Sequence, residues 1–176
     1  MKFTATALPG VMHIAPEAHH DHRGSFARLY CADLFQAAGV KFVSSQINLS
    51  HNMARHTLRG MHFQDHPFAE AKVVRVVRGA AYDVVLDLRA DSPTYRKWTS
   101  ANLTASGAEA LFIPEGCAHG FLTLEAETDV LYQMGRPFAP GHARGVRWND
   151  PAFGIVWPAN PAAIDAKDLA WADYAG

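Results

Sequence analysis

Short apolar or alternating runs, each closed by Gly, Pro, Asp or Asn, recur along this chain about every 8–12 residues, and that rhythm constrains its fold most. Residues 41–49, KFVSSQINL, read as a strand, and the polar stretch SHNMARH after it reads as a loop. Residues 57–64 (TLRGMHFQ) and 71–78 (AKVVRVVR) read as two more strands. Gly79 permits a tight turn into 80–89, AAYDVVLDLR. There Tyr82, Val84, Leu86 and Leu88 fall on one face and Asp83, Val85, Asp87 and Arg89 on the other. That period of two is a strand signature. Asp91-Ser92-Pro93-Thr94 is a turn, and further runs follow at 95–104, 109–113, 120–125 and 128–134. Helix signals are sparse: 32–38, ADLFQAA, has Asp33 early and Gly39 as a stop. After Asp150 the chain is rich in Pro, Ala and Trp, which predicts irregular or short helical structure wrapping back onto the sheets. The expectation is an all-β, mostly antiparallel β-sandwich, one domain over 1–176, with a few short peripheral helices.

Composition narrows the class of partner. The 176 residues are 49% hydrophobic and 19% charged with a net charge of −1, so no strong field recruits nucleic acid or a membrane surface. Two cysteines, Cys31 and Cys117, cannot make a disulfide framework and read as reduced thiols. The N-terminus MKFTATALPG has no apolar signal-peptide region, and no run approaches the ~18 apolar residues of a membrane span. A cytoplasmic protein is expected.

Ten histidines raise the question of metal. His19-His20-Asp21-His22 is the densest cluster, but neighbouring strand residues point to opposite faces, so the stretch reads as a polar surface loop before Arg23-Gly24. His62 is followed by Phe63 and Gln64, which breaks a ligand pair, and His66 and His119 have no carboxylate at useful spacing. No metal or other cofactor is expected. The polar residues inside strands carry more information. Gln46 and Asn48 share a face, as do Asp83 and Asp87, while Arg59, His62, Lys72 and Tyr132 sit in otherwise apolar runs. Any one of them alone reads as a solvated outer residue. Together, aimed at one lumen, they are expensive to bury dry, and a wet ligand-binding lumen accounts for them.

Six ordered motifs add a resemblance. Asp21-His22-Arg23-Gly24-Ser25-Phe26 is similar to a D-x-R-G-x-F opening, Gln46 to Ser50 to Q-x-N-x-S, and Leu58 to Gln64 to L-R-G-[LM]-H-[FY]-Q. Asp83 to Arg89 with Ser92-Pro93-Thr94, Ile113 to Phe121, and Trp148-Asn149-Asp150-Pro151 follow, and Lys167-Asp168 closes the pattern. Over nearly its whole length the chain resembles the dTDP-4-dehydrorhamnose 3,5-epimerases, metal-independent jelly rolls of the cupin type.

The resemblance implies a nucleotide-linked 4-keto-6-deoxyhexose whose C3 and C5 protons are acidified by the ketone between them. It makes His62 the base, Asp168 its orienting carboxylate, Tyr132 the donor from the opposite face and Lys72 the stabiliser of the enolate oxygen. Arg23 and Arg59 would bind the diphosphate, Phe26 and Phe138 the nucleobase region, and Gln46 with Asn48 would add hydrogen bonds there. Lys167 joins the substrate-binding set, and His119 either lines the sugar pocket or caps loop backbone. Two positions depart from the family. Arg28 stands where a thymine-recognising Glu is usual, which leaves GDP- or CDP-linked sugars open, and Phe138 replaces a common Tyr. The resemblance also implies a homodimer in which the segment 1–7 reaches the neighbouring subunit. An epimerase of C3 alone, a non-catalytic sugar-nucleotide-binding cupin and a metal-dependent cupin oxygenase are the competing readings.

Overall fold

The structure, a computed structural model, describes residues 1–175. β1 (Lys2–Ala5) and β2 (Met12–Ala15) pair antiparallel, and a hairpin of β3 (Ala18–Asp21) and β4 (Gly24–Ala27) follows, then α1 (Ala32–Ala37). Eight strands come next: β5 (Gln46–Asn52), β6 (Thr57–Gln64), β7 (Lys72–Arg78), β8 (Ala80–Asp87), β9 (Trp98–Thr104), β10 (Ala110–Ile113), β11 (Cys117–Thr123) and β12 (Thr128–Met134). A 3₁₀ turn at Pro140–His142, β13 (Ala143–Gly145), β14 (Ala163–Ile164) and α2 (Ala166–Leu169) complete the chain.

One sheet runs β1-β2-β10-β7-β12-β5 and the other β13-β6-β11-β8-β9, with β14 joining β6 in parallel. The pair forms a cupin-like jelly roll. Strand periodicity explains how three apolar layers arise from it. In β7, Val74 and Val76 face inward and pack with Val85, Phe121 and Val130 between the sheets. Val73 faces outward and meets Phe35 of α1, whose ring sits edge-on against Phe3 and Tyr30. The two faces of 80–89 are both buried: Val85 enters the central core, while Val84 and Leu86 lie under the C-terminal segment with Ile155 and Trp157. That segment wraps back as its composition predicts. Asp150, 2% exposed, ties it down by accepting from the amides of Ala152 (2.8 Å) and Tyr174 (2.6 Å), which gives the Trp148–Pro151 motif a structural role.

Three segments differ most from expectation: β11 covers Cys117–Thr123 rather than 120–125, and the other two are the start of β5 and the histidine-rich stretch. Strand β5 begins at Gln46, not 41, and runs on through Ser50–Asn52, where the sequence predicts a loop. Val40 and Phe42 are drawn into the cluster around Phe35, so residues 40–45 leave the ladder and pairing with β12 starts only at Gln46↔Met134. The histidine-rich stretch is a hairpin rather than a loop. Its turn is made by Asp21, whose carboxylate accepts from the Arg23 amide at 2.8 Å, and by Gly24 at φ +132°. All eight hairpin residues but Ala27 are exposed, so no buried face marks it in the sequence. Among the described residues no helix is long and apolar enough to cross a membrane.

Candidate active site

A cavity of about 530 Å³ is lined from both sheets, and β6 supplies its reactive wall. Strict alternation puts Arg59 and His62, three residues apart, on opposite faces of a strand. The pairing with β11 shows why both reach the cavity: His62 opposes His119 and Arg59 opposes Phe121, so three steps on β6 match two on β11. This bulge adds one residue and turns the side chains to one side. It rests on Gly60 and Gly120. Gly60 has φ +139°, and a Cβ there would lie 2.4 Å from the Gly120 Cα.

His62 is met by Asp168, 3% exposed, from α2. The Nε2–Oδ1 distance is 2.6 Å, and the second oxygen of Asp168 accepts from the Gly60 amide at 3.2 Å. Two local devices aim this carboxylate: β14 pairs with the start of β6, and Asp165 caps α2 by accepting from the Lys167 amide at 2.8 Å. Burial opposes charge on Asp168, but the His62 contact, the Gly60 amide and the nearby Lys167 outweigh it and lower its pKa. The pair holds His62 Nε2 against a carboxylate and leaves Nδ1 for the cavity, an arrangement suited to a general base.

Tyr132 and His119 lie against each other, their rings edge-to-face at 5.7 Å. His119 belongs to β11 rather than a loop, and its Nε2 meets the buried Asp83 carboxylate at 2.8 Å. Burial first, and the Asp83 charge second, push the Tyr132 phenol well above its ordinary pKa, with Arg59 pulling weakly the other way. The hydroxyl therefore keeps its proton. Lys72 is buried beneath the cavity, with Nζ 2.5 Å from Glu70 and 3.5 Å from the His62 carbonyl oxygen.

Of the residues expected from the sequence, His62, Asp168, Tyr132, Lys72, Asn48, Arg59, His119, Phe138 and Lys167 all line this cavity. Gln46 stands at its rim, donating to Asn48 at 2.9 Å and accepting from the Phe138 amide at 3.2 Å. Arg23, Phe26 and Arg28 are elsewhere. The first two line a separate surface depression on the β3–β4 hairpin, where Arg23 pairs with Asp21 at 2.6 Å and Phe26 is 74% exposed. Arg28 follows β4 and is exposed. Sequence reasoning missed Glu70, Gln64 and Arg144 as lining groups. Gln64 lies within the quoted L-R-G-M-H-F-Q motif, but nothing local marks Glu70, a carboxylate before an apolar strand, as buried. Arg144 is held by Asp65 at 2.7 Å, and Asp65 also meets His142 at 2.6 Å. Among the described residues, no three His, Cys, Asp or Glu side chains converge as a metal-ligand set.

The family model for dTDP-4-dehydrorhamnose 3,5-epimerase matches residues 5–175. A dTDP-4-dehydrorhamnose 3,5-epimerase of Sinorhizobium fredii is 42% identical over 160 residues, 90% of this chain and 81% of the relative. The crystal structure of the dTDP-4-dehydrorhamnose 3,5-epimerase of Bacillus anthracis, with TDP and PPi bound, superposes with a TM-score of 0.95 at 35% identity, covering 98% of this chain and 99% of that one. The Legionella pneumophila enzyme in complex with dTDP-4-keto-L-rhamnose superposes with a TM-score of 0.91 at 29% identity, covering 97% and 90%.

Proposed function

The chain belongs to the dTDP-4-dehydrorhamnose 3,5-epimerase family, and from that premise we propose how its cavity performs the reaction. It is a carbohydrate epimerase, an isomerase that inverts C3 and C5 of a dTDP-linked 4-keto sugar. The ketone acidifies both carbons, so each inversion needs a base on one side, a proton donor on the other and a group that steadies charge on the ketone oxygen.

His62 is the base. Its Nδ1 takes the C–H proton, the bonding pair moves into the ring as an enolate, and Asp168 stabilises the imidazolium that forms. Lys72 lies against the oxygen that gains charge. Tyr132 gives its proton to the carbon from the opposite face, and exchange with water then resets the phenol and the imidazole. Each proton transfer is worth about 10²–10⁴ in rate. The observation that carries this reading is that His62 and Tyr132, from different sheets, line one cavity together with Lys72. Arg59 and Lys167 supply cations for the diphosphate, and Phe138, 61% exposed, offers a stacking surface at the mouth.

The second arginine expected for the diphosphate, Arg23, lies outside its own chain's cavity. A second copy supplies it in our reading: the functional unit is a homodimer in which each hairpin brings Arg23 and Phe26 to the partner's cavity. The exposure of Phe26, Ile47 (60%) and Leu49 (59%) supports such a contact, since apolar surface of this kind is costly to leave in water. The segment 1–7 fits the same assembly, since β1 pairs with β2 on one side only and forms the edge of its sheet. We place the enzyme in the cytoplasm, in keeping with free thiols at Cys31 and Cys117.

Solvent exchange tests the reaction. In D₂O with dTDP-4-keto-6-deoxyglucose, the C3 and C5 proton signals disappear with the native enzyme and persist with His62→Asn, which still binds dTDP. Loss at C3 alone reassigns the enzyme as a 3-epimerase. Exchange only with GDP- or CDP-linked substrates gives Arg28 the decision over the base, and silence with all of them makes the chain a binding protein.

A further inference from the structure

We propose that Glu70 is a positioning residue for Lys72, and that it ties the enolate-binding cation to the strand carrying His62. This rests on the reading of Lys72 given above. Glu70 is 4% exposed and Lys72 5% exposed, so their contact at 2.5 Å is screened from water. An ammonium on a four-carbon stem has three freely turning donors and no preferred direction of its own. Glu70 supplies that direction. Its other oxygen accepts from the Gln64 amide at 2.9 Å, two residues beyond His62 on β6. One carboxylate thus spans the two elements that supply the base and the cation. The connection continues outward: the Gln64 side chain donates to the Phe68 carbonyl at 2.9 Å and accepts from the Ala139 amide at 2.6 Å, next to Phe138. A carboxylate fits this task better than an amide. Both neighbours are donors, and Glu70 offers an acceptor to each, whereas a glutamine turns its NH₂ toward one of them.

The test compares Glu70→Ala, Glu70→Gln, Lys72→Ala and the Glu70→Ala/Lys72→Ala double variant by kcat, KM and dTDP affinity. A misplaced catalytic group costs about 10²-fold, so Glu70→Ala lowers kcat by that order with KM and dTDP binding little changed. Glu70→Gln retains one acceptor for Nζ and loses about tenfold or less. If Glu70 acts through Lys72, its substitution has no further effect once Lys72 is gone. Additive losses in the double variant, or a native kcat for Glu70→Ala, overturn the inference. Should Glu70→Ala fail to fold, because it leaves Lys72 buried and unpaired, Glu70→Gln decides: a loss greater than that of Lys72→Ala, or a rise in KM alone, overturns the inference. A native kcat for Lys72→Ala sinks instead the role assigned to Lys72.

Discussion

Asp168 touches both His62, through Oδ1 at 2.6 Å, and the Gly60 amide, through Oδ2 at 3.2 Å. One carboxylate, from α2, therefore fixes the ring of His62 and the backbone of the strand that presents it. Replacing it with asparagine puts an NH₂ against one of two donors. Asp168→Asn is expected to lower kcat by about 10²–10⁴ while dTDP still binds. Steady-state kinetics with a dTDP titration check this, and loss of nucleotide affinity on the same scale would mean that the site itself had collapsed.

In the proposed reaction Tyr132 acts from the face of the sugar opposite His62. Without its hydroxyl, a proton removed by His62 is returned by His62. Tyr132→Phe should incorporate solvent deuterium at C3 with configuration retained, and form inverted product about 10²–10⁴ times more slowly. NMR of the recovered sugar distinguishes exchange from inversion. Inversion at the native rate removes Tyr132 from the mechanism.

The bulge at Gly60 has a stability signature. A methyl group at φ +139°, aimed at the Gly120 Cα 2.4 Å away, forces β6 and β11 apart. Gly60→Ala should cost about 2–4 kcal/mol and also lower kcat, because it shifts the strand that carries His62. Urea denaturation followed by two probes measures it. A native midpoint would show that the strands separate freely.

Acid should weaken the fold through Asp87. This carboxylate, wholly buried at the end of β8, accepts from Arg89 (2.8 Å), Ser92 (2.6 Å) and Thr94 (2.7 Å). Burial works against its charge, yet these donors together hold its pKa far below the usual carboxylate range. Its folded pKa is thus depressed below the unfolded value, so its contribution is fully present above about pH 4 and is lost as pH falls further. Asp87→Asn should be less stable at pH 7 by about 3 kcal/mol and show a flatter loss of stability below pH 4. Parallel acid slopes for the two proteins would assign the acid sensitivity to other groups.

A mixing experiment tests the shared site. Chains carrying Arg23→Ala and chains carrying His62→Asn are each inactive in the dimer reading. Mixed dimers, however, hold one cavity with native His62 and a native Arg23 from across the interface. Activity restored on mixing supports the arrangement, and a monomeric mass in solution refutes it.

Much of the fold is legible in the residues. The strand at 57–64 and the one ending at Met134 begin and end as the alternation predicts, and the helix at 32–37 falls within the expected 32–38. Those signals are local: side-chain period, turn chemistry and a glycine stop depend on near neighbours alone. The hairpin of β3 and β4 is not legible because it has no buried face, and the start of β5 is hidden because Val40 and Phe42 answer to Phe35 rather than to a neighbouring strand.

Sequence alone marked Arg23, Arg59, His62, Lys72, Tyr132 and Asp168, in that order along the chain, as candidate site residues. Tertiary structure alone decided which of them meet. Period two places Arg59 and His62 on opposite faces, and only the register between β6 and β11, with one residue extra at Gly60, turns them to the same cavity. Glu70 became part of the site because β7 carries Lys72 back beneath β6. Arg23, whose motif marks it for the same task as Arg59, stays outside, since the hairpin that bears it points away from its own chain's cavity. Register and chain reversal bring together residues far apart in sequence, and no local pattern encodes a contact whose partner lies on another strand.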